Sequence, residues 1–104
     1  MDKTNILVLA SHTEILGTIL RLINKNESWN GVGVSTASEA LSAFQEAQFD
    51  LVLLGVGVDD ATESSLRADF QKFNSYAICI RHFGGGSGLL YSEIQHALAG
   101  NFDH

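Results

Sequence analysis

Residues able to do chemistry gather at three places in this sequence: Ser11-His12, Asp59-Asp60, and the stretch from His82 through Gly84-Gly85-Gly86-Ser87-Gly88. Imidazoles at His12 and His82 could hold a metal ion, but such a site needs at least a third ligand at a fixed spacing, and no such set is recognisable. The two read as solvent-exposed loop histidines, and His96 and His104 as surface and tail residues. Asp59-Asp60 could be an acidic site; the simpler reading is a cap on a following helix, bonded to its first amides. The glycine-rich stretch could cradle an anion on the amides of a helix N-terminus. It lacks the P-loop lysine and does not match GxGxxG, so a turn with Ser87 as helix cap competes with that reading. Ser11 is spaced from Glu14 as a capping box. Cys79, inside "AICI", reads as a buried core thiol. No Ser-His-Asp or Cys-His arrangement is legible, so no enzyme activity, metal or cofactor is expected.

The elements that must position these residues alternate between two periods. Ile6-Leu7-Val8-Leu9-Ala10 and Leu51-Val52-Leu53-Leu54 are continuous apolar runs of strand length, as expected for strands covered on both faces. After the first run a helix is predicted to about Lys25, with Ile15, Ile19, Leu22 and Ile23 inward. "GVGVSTA" is a glycine-rich, half-polar strand suited to a sheet edge. Thr36 and Glu39 form a second possible capping box, ahead of a helix turning Ala40, Leu41, Phe44 and Ala47 inward. Asp60-Ala61-Thr62-Glu63 opens a third helix with Leu66, Phe70 and Phe73 on one face. Tyr76 to Ile80 is a fourth strand, and a last helix turns Leu90, Ile94 and Leu98 inward. Four strand–helix units in succession predict an α/β fold: a four-stranded parallel sheet in the flavodoxin-like order 2-1-3-4, with helices on both faces. Loops at the carboxyl ends of the strands then share one edge, where such folds bind ligands.

Length and charge narrow the function. A chain of 104 residues is expected to form a single domain over 1–104. Hydrophobic residues at 45% exclude a disordered chain, and no apolar stretch approaches a membrane span. Six basic against twelve acidic residues give a net charge of −6, which argues against nucleic acid and anionic membranes as partners. Met1 to Asn5 lead straight into a strand without the pattern of a signal sequence, and the one cysteine suggests a reducing compartment, so a cytoplasmic location is expected.

"NILVLASHTEILGTILRLI", "STASEALSAFQEAQFDLVLLGVGVDD" and "LLYSEIQHAL" resemble the response-regulator receiver domain, the CheY-like family, well over residues 5 to about 60 and loosely in the last helix. The resemblance implies a flavodoxin-like, three-layer α/β/α fold and a role in two-component signal transduction. It also implies a phosphotransfer site: an acidic pair after the first strand, a nucleophilic aspartate ending the third, Thr or Ser after the fourth, and a lysine after the fifth. Position by position, the acidic pair falls on Ala10 and Ser11 and the phosphoacceptor on Gly55. No Thr or Ser directly ends "AICI", no lysine lies beyond Lys72, and the chain is one strand–helix unit short of the family's five.

The expectation is thus a truncated, degenerate pseudo-receiver that cannot be phosphorylated and acts as a protein–protein interaction or regulatory module. Its partner, or a second copy in a homodimer, would dock at the fourth-strand edge around Tyr76, Ile78 and Ile80, an apolar run with no proline to protect it. The alternative is a small-ligand or anion binder using the loops at the carboxyl edge: Ser11 and His12, Gly55 and Gly57, and His82, Gly85, Gly86 and Ser87.

Overall fold

Two strands with no polar side chain in their buried portions form the centre of the molecule. In the computed structural model, which describes residues 3–55, 57–81 and 87–100, the order is β1 (Thr4–Leu9), α1 (Thr13–Asn24), β2 (Trp29–Val34), α2 (Ala37–Glu46), β3 (Leu51–Leu54), α3 (Asp60–Phe73), β4 (Ile78–Arg81) and α4 (Ser87–Gly100). The sheet is parallel throughout and ordered β2-β1-β3-β4, the order expected. Ile6 to Leu9 and Leu51 to Leu54 are all buried, because β1 and β3 are covered on both faces.

Alternation along these two strands feeds two separate cores. Leu7, Leu9, Val52 and Leu54 pack with Ala40 and Phe44 of α2 and Leu66 and Phe70 of α3. Ile6, Val8, Leu51 and Leu53 pack with Ile19 and Ile23 of α1, Trp29, and Leu90 and Ile94 of α4. The result is a three-layer α/β/α flavodoxin-like fold, with α1 and α4 on one face and α2 and α3 on the other. The Tyr91 hydroxyl donates to the Leu22 carbonyl at 2.7 Å, and its ring lies 5.8 Å from that of Trp29, so α4 is tied to α1.

Helix starts follow the caps, with one exchange. Thr36 accepts from the Glu39 amide at 3.1 Å and Asp59 from the Thr62 amide at 2.7 Å, as their residue types favour. The Glu39 carboxylate turns back on the cap, as the expected box requires: it interacts with Thr36 and also accepts from the amide and hydroxyl of Ser35. At α1 the cap is His12, not Ser11: the imidazole Nδ1 accepts from the Ile15 amide at 3.4 Å. Ser87 is the first residue of α4 and not the residue before it.

Other expectations shift by a turn or a face. Ala47 is exposed and caps α2, while Ala43 packs on the core. Phe73, at the last position of α3, is 53% exposed. Tyr76 is 86% exposed in the turn ahead of β4, which starts only at Ile78. The edge strand β2 begins earlier than its glycines suggest, because Trp29 docks among α1 and α4. Those glycines serve close approach: a Cβ on Gly33 would stand 2.4 Å from Leu20 Cδ1, so α1 rides directly on β2.

Gly33→Val is therefore expected to cost about 1–3 kcal/mol by overpacking. Gly17→Ala, at an exposed helix position with nothing within 4 Å of the new methyl, should instead stabilise by about 0.5–1 kcal/mol. Urea denaturation of the two variants checks both signs.

Candidate functional site

Parallel strands deliver their following loops to one edge, and among the described residues these are Ala10 to His12 after β1, Ser35 and Thr36 after β2, and Gly55, Gly57 and Val58 after β3. Ala10 and Gly55 are buried side by side. The Gly55 amide donates to the Leu9 carbonyl at 2.7 Å, and a Cβ on Gly55 would lie 3.2 Å from that of Ala10. Gly57 adopts φ +94°, a conformation that L side chains rarely take, and a Cβ there would stand 1.6 Å from Ser11 Oγ. The loop after β3 thus lies on the loop after β1, and Ala10, Ser11, Gly55 and Gly57 form a closed seam without a carboxylate.

Of the expected ligand loops, the structure brings together Ser11, Gly55 and Gly57, but as mutual packing. His12 sits on the rim, engaged as the α1 cap. His82, Gly85 and Gly86 lie outside the described residues. Asp59 is also engaged: its bond with Thr62 holds the carboxyl below the usual carboxylate range. Among the described residues, no group of three or more His, Cys, Asp or Glu side chains could hold a metal ion.

The charged cluster at this end of the sheet was not anticipated from sequence. Arg81, closing β4, donates to the Glu63 carboxylate and to the Val58 carbonyl. Arg67, one turn beyond Glu63 on α3, donates to the same carboxylate at 2.8 Å and to the Cys79 carbonyl at 2.8 Å. Hydrogen bonds from Arg67, then Arg81, hold the Glu63 carboxyl below its ordinary range. Burial pushes the Cys79 thiol up to about 11, so it stays protonated and unreactive at neutral pH. Asp60, Glu63, Arg67, Cys79, Ile80 and Arg81 line an open groove of about 710 Å³ beside the β4 edge. Two guanidiniums sharing one carboxylate next to a neutral thiol offer charge and hydrogen bonds for recognition, without a nucleophile–base pair. The sequence did carry a signal: Glu63 and Arg67 stand at i and i+4, and Arg81 ends an otherwise apolar strand.

The three residues expected to form an interface differ in exposure. Ile78 and Ile80 are half-buried against the α1–α4 core, whereas Tyr76 projects from the turn below the strand.

Solved structures with this fold include response-regulator receiver domains. A CheY-like receiver domain protein from Methanospirillum hungatei JF-1 superposes with a TM-score of 0.79 at 17% identity, covering 96% of this chain and 97% of that one. The signal receiver domain of an HD domain-containing protein from Pseudomonas fluorescens Pf-5 gives 0.68 at 16% identity, covering 98% and 99%. The non-phosphorylated HemR receiver domain from Leptospira biflexa gives 0.64 at 20% identity, covering 91% and 77%. No protein-family model matches the sequence, and no curated protein does. At these identities the likeness is one of fold. No described helix is long and apolar enough to cross a membrane.

Glu39, Asp59 and Glu63 all have lowered carboxyl pKa values, so the folded state binds their protons less readily than the unfolded chain. Their contribution is complete above the ordinary carboxylate range and is lost as pH falls through the lowered values. Thermal melts across that range should show Tm declining on acidification, with a shallower acid limb for Glu63→Gln.

Proposed function

We propose that this chain is a signal-transduction module of receiver fold that works without phosphoryl transfer and acts by binding protein. The carrying observation is the closed seam of Ala10, Ser11, Gly55 and Gly57. By resemblance to the receiver family, these positions would supply two Mg²⁺-binding carboxylates and the phosphoacceptor aspartate. Mg²⁺ takes oxygen ligands in near-octahedral geometry, commonly through carboxylates, and methyl and hydrogen side chains at Ala10 and Gly55 supply none. Space is lacking as well as chemistry, because Gly57 rests on Ser11.

An enzyme of another kind is disfavoured in this reading, since burial holds the Cys79 thiol protonated. What remains for function is surface. The β4 edge, with Arg67, Arg81 and Glu63 above it and half-buried Ile78 and Ile80 along it, is the docking edge in this reading. The net charge of −6 favours a protein partner over nucleic acid or an anionic membrane, in a cytoplasmic setting.

Incubation with acetyl phosphate, or with beryllofluoride and Mg²⁺, should leave the intact mass and the tryptophan fluorescence unchanged. A stoichiometric, acid-labile phosphate on any aspartate would overturn the proposal.

A further inference from the structure

We propose that the occupant of the β4 edge is β4 of a second copy of this chain, paired antiparallel about a two-fold axis at Ile80. This rests on the reading of β4 as the docking edge. The Ile78 amide donates inward to the Asp50 carbonyl at 3.0 Å. Peptide groups alternate sides along a strand, so those of Cys79 and Arg81 face outward. Arg67 reaches the Cys79 carbonyl from the α3 side, as an outward-pointing oxygen allows. A carbonyl has two lone pairs, so that oxygen can still accept an amide from an added strand. All four residues of β4 are only half-buried, while all four of β3 are buried. Among the described residues, no strand pairs with the outer side of β4.

Charge complementarity selects both the occupant and the register. Arg67 stands level with Cys79, through its bond to that carbonyl, and Glu63 stands level with Arg81. Centring the two-fold on Ile80 sets Cys79 of each copy opposite Arg81 of the other. Arg67 then faces Glu63 of the second copy, twice over, with α3 antiparallel to its mate. Centring on Cys79 instead would set Arg67 against Arg67. A row that becomes complementary to itself under a two-fold fits an isologous dimer. The two Ile80 side chains would meet as a non-hydrogen-bonded pair, the closer type of antiparallel pair, and the two sheets would become one.

The non-hydrogen-bonded geometry brings Cβ atoms to about 4.5–5.5 Å, near disulfide range. Under mild oxidation, the variant Cys79→Ser/Ile80→Cys should give a covalent dimer, and Cys79→Ser/Ile78→Cys should not. Sedimentation equilibrium of the unaltered protein should show a concentration-dependent rise to twice the monomer mass, weakened by salt. A clean monomer mass up to sub-millimolar concentration overturns the proposal even where a variant fails to fold. A dimer that links through position 78, or not through position 80, overturns it equally. None of these outcomes alters the result with acetyl phosphate, which tests the absence of phosphoryl transfer separately.

Discussion

Burial of β1 and β3 on both faces is the constraint on which the rest of the structure depends. Each buried side chain of this size contributes about 1.5–3 kcal/mol on removal from water. Covering only one face of the pair would forfeit half of those side chains. Their peptide groups must also be paired once buried, which fixes neighbours on either side. Parallel pairing supplies those bonds, and the ladder continues below the strands. There Asn5 and Asp50 bond one another through the Asp50 carboxylate and the Asn5 carbonyl, and Asp50 passes the register on to Ile78. Helices on both faces are therefore a requirement of the central pair.

That requirement also explains the course of the chain after β4. With α2 and α3 already on one face, the second core needs a helix beside α1 to cover Leu51, Leu53 and Ile80. The last helix crosses to that face and is held by Tyr91 against Leu22 and Trp29. Both layers are then filled while β4 remains at the sheet margin. The margin is short, ends in Arg81, and has one outward carbonyl that accepts from Arg67.

At the carboxyl edge, the seam and the charged cluster have a common cause. Absence of side chains at Gly55 and Gly57 lets the loop after β3 settle on Ala10 and Ser11. That course brings the Val58 carbonyl to Arg81, and the Asp59 cap starts α3 so that Glu63 reaches both arginines. A larger side chain at either glycine would displace the loop and disturb the network. The fold is that of receiver domains, and its carboxyl edge is held by packing and ion pairing.

Periodicity determined a great deal unaided. The uninterrupted apolar runs at Ile6–Ala10 and Leu51–Leu54 specified central strands, the inward faces at Ile19, Ile23, Phe44, Leu66, Phe70, Leu90 and Ile94 specified the helices, and their alternation specified the 2-1-3-4 sheet. That Ala10 and Gly55 carry no carboxylate was likewise legible, because residue identity alone decides it. Only the tertiary structure decided matters that depend on distance between segments. It chose His12 over Ser11 as the α1 cap and put Tyr76 and Phe73 in solvent. It also used Gly33 to admit Leu20, and folded Gly57 onto Ser11. The convergence of Arg67 and Arg81 on the Glu63 carboxylate belongs with these. Local patterning reports which face of an element is apolar; where a loop comes to rest depends on the packing of elements remote in sequence.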